Sequence, residues 1–226
     1  MCPGCGDIVM ADGALCAPCW SQTPFIMAPF CDTCGVQLPG MPEDTVLQCD
    51  DCMASPPPWA QGRAALMYRD TARSMVLALK HGDRHDLITP LGLFMAQAAA
   101  PLMQDTTLFV PVPLHVTRLI KRRYNQAAVL AHYVAQHYGR PVCQALKRRK
   151  RTVSLEGKTR DERYATLQGA ICANPKHHAT VAQKHVILVD DVMTSGATLS
   201  TCTDVIRTMG ASAVSVLVLA RVGKAV

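Results

Sequence analysis

The chain predicts an α/β fold, a central parallel sheet flanked by helices, preceded by a small cysteine-rich metal-binding segment. Three observations carry this expectation. Residues 185–219 read as one strand–loop–helix–strand unit; a second apolar run, Leu108 to Val112, leads into a basic stretch; and eight of the eleven cysteines form four C-x-x-C pairs within the first 52 residues. At 226 residues there is room for one full domain and a smaller one. We expect the cysteine-rich unit in 1–55, a proline-rich linker in 56–60 and the α/β domain in 61–226. Hydrophobic residues make up 49% of the chain, enough for a sizeable core. No apolar run reaches about eighteen residues, so no membrane span is expected. Met1-Cys2-Pro3 does not begin a basic-then-apolar signal, so the expected compartment is the cytoplasm.

The cysteine pairs are Cys2/Cys5, Cys16/Cys19, Cys31/Cys34 and Cys49/Cys52. Two intervening residues let both thiolates of a pair reach one tetrahedral ion from a tight turn. The order repeats, with Gly6 and Gly35 after the second cysteine of each leading pair, where a knuckle needs positive φ. The pattern looks like a double zinc ribbon with two structural Zn2+ sites. Disulfides would need an oxidising compartment, and a redox motif would need one pair rather than four. Four-thiolate sites also accept iron. Sequential pairing is expected, with an interleaved arrangement as the alternative. Trp20 and Phe25 are the expected mini-core, and such a segment would take its stability from metal. Eight thiolates (−8) and two Zn2+ (+4) bring the formal charge of +6 down to about +2. Total charge is then a weak argument for nucleic acid, and local clusters matter more.

Pro56-Pro57-Pro58 is a stiff extended linker, and Trp59 is expected to pack where the chain re-enters structure. Ala64 to Tyr68 reads as a strand, and Thr71 to Lys80 as a helix with Met75, Val76 and Leu79 inward. Residues 80–84 read as a loop, in which His81 and nearby His85 are solvated turn residues. Pro90 to Leu102 is a second amphipathic helix. Leu108 to Val112 is a strand whose Pro111 marks its end. Arg118, Lys121, Arg122 and Arg123 follow, then Tyr124-Asn125-Gln126. Lys147 to Arg151 is five basic residues in a row, and Val153 to Arg163 is mostly polar. A strand-like pattern resumes over Leu167 to Ile171. Cys143, Cys172 and Cys202 stand singly in apolar surroundings and read as core. His177-His178 sits in a turn beside Pro175 and takes no role.

Val186 to Val189 is unbroken and apolar, as expected of a strand covered on both faces. Asp190 and Asp191 stand at its expected end, and Thr194-Ser195-Gly196-Ala197-Thr198 forms a hydroxyl-rich loop. The helix that follows puts Leu199, Cys202, Val205, Ile206 and Met209 on one face, stops at Gly210, and leads to a strand from Val214 to Leu219. Ligands of open parallel sheets bind beyond the carboxyl ends of the strands. A helix N-terminus there offers free amides and a dipole that favours an anion. Thr194, Ser195 and Thr198 add hydroxyl donors, and Gly196 lets backbone come close. Two carboxylates beside a phosphate cradle would repel the anion. They suit sugar hydroxyls or a hydrated Mg2+, so the pair and the cradle together point to a sugar phosphate.

Val186 to Thr198 resembles the phosphoribosyl pyrophosphate (PRPP) signature of type I phosphoribosyltransferases. V-P-V-P-L-H (110–115), the basic stretch and Y-N-Q-A (124–127) resemble the ComF family, competence-associated members of that superfamily. The resemblance covers essentially the whole chain. It implies the type I phosphoribosyltransferase fold with a small hood, and a PRPP site running from Asp190 through Val192 and Met193 to Thr198. In that site Asp190 and Asp191 would hold the ribose 2′- and 3′-hydroxyls and stabilise charge at the anomeric carbon. Residues 194–198 would hold the 5′-phosphate, and Arg118, Lys121, Arg122 and Arg123 would lie on the pyrophosphate side, with Mg2+ accompanying the ligand. The segment after the basic run would close over the bound diphosphate. Family relatives carry Gln-x-x-Leu there; this chain has Thr152-Val153-Ser154-Leu155, which bears on catalytic competence. Two functions follow. One is an enzyme that passes the ribosyl group to an unidentified acceptor, in a setting of natural competence and DNA uptake. The other is a non-catalytic PRPP or nucleotide sensor, or a scaffold that contacts single-stranded DNA and competence-machinery proteins. No residue announces itself as a base for an acceptor.

Overall fold

The computed structural model describes residues 1–11, 13–41, 45–81, 84–149 and 169–223. Two short helices, α1 (Ala17–Ser21) and α2 (Asp50–Ala54), lie in the cysteine-rich segment. Then come β1 (Gly62–Met67), α3 (Asp70–His81), α4 (Ile88–Ala99), β2 (Thr107–Pro111), α5 (Val116–Arg122) and α6 (Gln126–His137). β3 (Leu146–Arg148) and β4 (Ile171–Ala173) pair antiparallel as a small separate ribbon. The chain closes with α7 (His178–Val181), β5 (His185–Met193), α8 (Ala197–Thr208) and β6 (Ala213–Arg221). No helix among the described residues is long and apolar enough to cross a membrane.

The central sheet is parallel, in the order β1-β6-β5-β2. Its inner strands need apolar residues on both faces, and the alternation of β5 shows why. Ile187 and Val189 face the core built with Leu91 and Met95 of α4 and Leu130 and Val134 of α6. Val186 and Leu188 face the opposite core with Leu199, Cys202 and Ile206 of α8. That second core also takes in Cys31, Cys34, Cys52 and Trp59, so the cysteine-rich segment completes the layer that α8 begins. Gly92 of α4 lies where any Cβ would strike Tyr133, which brings α4 and α6 close together.

Met75, Val76 and Leu79 are buried, as the helical spacing of α3 requires, and β2 ends at Pro111 as expected. Four expectations need correction. β5 does not stop before the acids but runs on through Met193, because β6 continues to pair with it at Asp190↔Val218 and Met193↔Arg221. Pairing overrides the weak strand preference of Asp. The basic run begins in the small ribbon, where Lys147 and Arg148 pair with Cys172 and Ile171. The strand expected over 167–171 is described only from Ile171, and Lys150, Arg151 and the 153–163 segment lie outside the described residues. Trp20 and Phe25 do pack together, with ring centroids 4.6 Å apart, but the pair is no separate core: both rings meet Phe94 of α4 edge-on at 6.1 and 5.0 Å, and Trp20 is 54% exposed. Cys143 and Cys202 are buried, whereas Cys172 on β4 is only partly so.

Candidate functional site

Asp190 and Asp191 stand consecutively near the end of β5, on the carboxyl side of the sheet. Both are partly buried, and the Asp190 Oδ1 accepts the Asp191 backbone N–H at 2.8 Å. Lys80, near the end of α3, reaches Asp191 Oδ2 at 3.2 Å. The side chains of that pair are 15% and 14% exposed, so the interaction is sheltered from solvent. Burial, and then the charge of Asp191, pushes the Asp190 carboxyl up to about 7, against the pull of Lys80 and Arg148.

That shift sets a dependence of stability on pH. Asp190 binds its proton more tightly folded than unfolded. Its contribution to stability is therefore complete below the ordinary carboxylate pKa of about 3.9 and is lost as pH rises through about 7. Asp190→Asn removes that loss. We expect the variant to be more stable than the parent at pH 8 by about 1–3 kcal/mol, with the gap closing by pH 4. Thermal unfolding followed across that range checks it.

Residues 194–196 turn tightly from β5 into α8, whose N-terminus carries no side-chain cap. The first-turn amides of a helix have no partner inside it, so α8 can offer them to an anion. Thr194 is exposed, and Ser195 and Thr198 are half-buried. Gly196 has φ +77°, which a side chain would strain. Its missing Cβ, however, serves a neighbour and not a ligand. Gly196 is buried, and a Cβ there would stand 2.9 Å from Trp59 Cη2. The expectation that Gly196 admits a phosphate is corrected accordingly; the neighbouring amides and hydroxyls remain as donors.

The predicted basic residues divide. Arg118 on α5 is exposed and close enough to Arg148 to act on it electrostatically. Burial first, and then Arg118, pulls the Arg148 guanidinium below its usual range, while Asp190 and Cys202 oppose this. Arg148 of β3 thus joins Asp190 to the basic helix. Arg122 turns to Gln126 Oε1 at 3.3 Å, and Arg123 sits left-handed at the end of α5 with φ +65°. The side chain of Lys121 lies outside the described residues. Tyr124 and Asn125 prove architectural. Tyr124 donates to the Leu79 carbonyl at 2.6 Å, fixing the end of α3 beside Lys80, and Asn125 donates to Val112 O at 3.0 Å while capping α6.

Lys80 and Arg148 were missed as site residues by sequence reasoning. One looked like the start of a loop and the other like part of a solvated charge run. A lysine at the inward end of an amphipathic helix was the available signal for the first; for the second there was none.

The eight N-terminal cysteines gather in two groups, Cys2/Cys5/Cys16/Cys19 and Cys31/Cys34/Cys49/Cys52. The pairing is sequential, and the sulfurs of each group lie within 4.8 Å of one another. Tetrahedral Zn2+ with Zn–S near 2.3 Å separates its sulfurs by about 3.8 Å. Cys5 and Cys16 are 3.5 Å apart and Cys34 and Cys49 3.7 Å, so the donor sets fit. The sulfurs of the second group are close enough to act on one another: a hydrogen bond with Cys34 pulls the Cys31 thiol down to about 4, and the same contact pushes Cys34 up.

Comparison with known proteins agrees with this division. Residues 1–53 match the model of the double zinc ribbon domain, and residues 96–225 match that of the phosphoribosyl transferase domain. Competence protein F of Haemophilus influenzae is 26% identical over 222 residues, covering 96% of this chain and 94% of that one. DNA utilization protein YhgH of Escherichia coli K12 is 25% identical over 223 residues, covering 95% and 93%. Among solved structures, the allosteric regulatory enzyme of purine biosynthesis aligns with a TM-score of 0.42 at 17% identity, over 63% of this chain and 30% of that one, too loosely to add weight. The chain belongs to the phosphoribosyl transferase domain family, in the ComF-type arrangement that sets a double zinc ribbon before that domain.

Proposed function

We propose that this protein binds PRPP with Mg2+ and transfers its phosphoribosyl group to an acceptor still to be identified, in the cytoplasmic handling of DNA taken up during natural competence. The observation that carries the reading is the acid pair of β5, held by Lys80 and flanked by Arg148, beside the uncapped N-terminus of α8. Asp190 and Asp191 would accept hydrogen bonds from the two ribose hydroxyls. Their negative charge then lies beside the anomeric carbon, where positive charge develops as the bond to pyrophosphate lengthens. The first-turn amides of α8, with Thr194, Ser195 and Thr198, would take the 5′-phosphate. Arg118 and Arg148 are two cations that repel each other, and a departing pyrophosphate between them would relieve that repulsion. Mg2+, when bound, would offset diphosphate charge; carboxylates and diphosphate oxygens are its usual ligands. Lys80, 3.2 Å from Asp191 Oδ2, would hold that carboxylate oriented as an acceptor. The setting in competence rests on the names of the full-length relatives.

The second reading is a sensor or scaffold that binds PRPP without turnover. It draws on the sequence, which reads Thr152-Val153-Ser154-Leu155 where ComF-family relatives carry Gln-x-x-Leu. Turnover separates the two. Purified protein is titrated with PRPP and Mg2+ by calorimetry. Labelled PRPP is then incubated with protein and a cell extract, and pyrophosphate and labelled products are followed. Saturable binding with pyrophosphate release is the expected result. Binding without release from any base, amine or nucleic acid supports the sensor, and no binding at all overturns both.

A further inference from the structure

Two contacts run from the second cysteine cluster to the loop that follows β5, and the chemistry above uses neither. The first is Arg221, the last residue of β6, only 8% exposed. Its Nη1 donates to the carbonyls of Met193 at 3.2 Å and Thr194 at 2.6 Å, and also to that of Val222. Its Nη2 lies 3.9 Å from Cys34 Sγ. The second contact is Trp59. Its Nε1 donates to the Thr33 carbonyl at 2.6 Å, and its ring covers the face of Gly196. Thr33 and Cys34 belong to one knuckle, the C-x-x-C that begins at Cys31. Between knuckle and loop lies a cavity of about 340 Å3 lined by Cys34, Cys52, Trp59, Met193, Ser195 and Arg221, so beyond Met193, which packs in the shared core, the loop meets the knuckle through these two struts.

A planar trans peptide points its C=O and N–H in opposite directions. Drawing the Met193 and Thr194 carbonyls toward the zinc knuckle therefore turns the Thr194 and Ser195 amides the other way. A guanidinium suits this task, since its rigid fork serves carbonyls and a metal-bound thiolate at once, which a lysine cannot do in the same geometry. We propose that the second zinc site sets the geometry of the 194–198 loop through Arg221 and Trp59. Arg221 is a positioning residue for the phosphate ligand, and metal at Cys31, Cys34, Cys49 and Cys52 is required for the loop to hold it. This deepens the reading of the loop as a phosphate cradle and rests on it.

The test compares full-length wild type with Cys34→Ser, Arg221→Met, Arg221→Lys and Cys5→Ser. Zinc content, amide hydrogen exchange over 193–198 and PRPP affinity are measured for each. Cys34→Ser is expected to lose one zinc and to speed exchange in 193–198 by about 10-fold or more. Arg221→Met should do the same with both zincs retained, and should weaken PRPP binding by about 10-fold or more, with partial recovery in Arg221→Lys. Cys5→Ser should speed exchange in its own segment and leave 193–198 at the wild-type rate. Wild-type exchange in 193–198 for Arg221→Met, or for a folded Cys34→Ser lacking its zinc, overturns the proposal. Should Cys34→Ser fail to fold, Arg221→Met decides, because it leaves every zinc ligand in place. If the wild type itself binds no PRPP, the functional reading fails while the exchange comparison still decides this one.

Discussion

Asp190→Asn combined with Asp191→Asn is expected to abolish PRPP binding while zinc stays at two per chain. The two carboxylates would each accept a charge-assisted hydrogen bond from a ribose hydroxyl, worth about 1.5–3 kcal/mol apiece. Losing both weakens binding by about 100-fold to 10,000-fold, past the range of ordinary calorimetry. The double change also strands Lys80, whose side chain is 15% exposed and which pairs with Asp191 at 3.2 Å. Zinc is expected to be spared because all eight ligands are cysteines of residues 2–52, and neither acid belongs to either group. Calorimetry with PRPP and Mg2+, beside a zinc assay, checks both halves. Retained affinity would remove Asp190 and Asp191 from the site and the functional reading with them.

Stripping the metal is expected to unfold more than the ribbon. Structural zinc contributes about 10–16 kcal/mol of apparent binding free energy in small zinc-bound peptides, more than the stability of most domains. The first cluster would unravel more locally, since it adjoins the α/β domain through the edges of Trp20 and Phe25 on Phe94 and through Leu15 packed against the same core. The second shares its core with β5, β6 and α8. It is also tied to β1, where Arg63 donates to Asp32 Oδ1 at 2.7 Å and Gly62 packs against the Thr33 carbonyl. Chelator treatment should therefore release two zincs per chain, lower the melting temperature of the α/β domain and shift the emission of buried Trp59. A treated sample that keeps its circular dichroism and releases no zinc would refute this.

What could be read from the chain in advance was whatever local spacing dictates. Two residues between cysteines fix a metal knuckle, and an unbroken Val-Ile-Leu-Val run fixes a strand buried on both faces. Two acids followed by T-S-G-A-T mark a strand end opening into a helix N-terminus. Proline at 111 marks where β2 stops. These are short-range constraints of bond geometry and backbone sterics, so they survive without knowledge of the fold. Tertiary structure alone decided which distant groups meet. It extended β5 past its acids because β6 lies alongside to pair with them. It set Lys80 on Asp191 across 111 positions of sequence and gave the bare face of Gly196 to Trp59. It joined Arg221 to Cys34 across 187. Contacts of that span arise only when the sheet brings its strand ends and the ribbon together, and no periodicity in the chain encodes them.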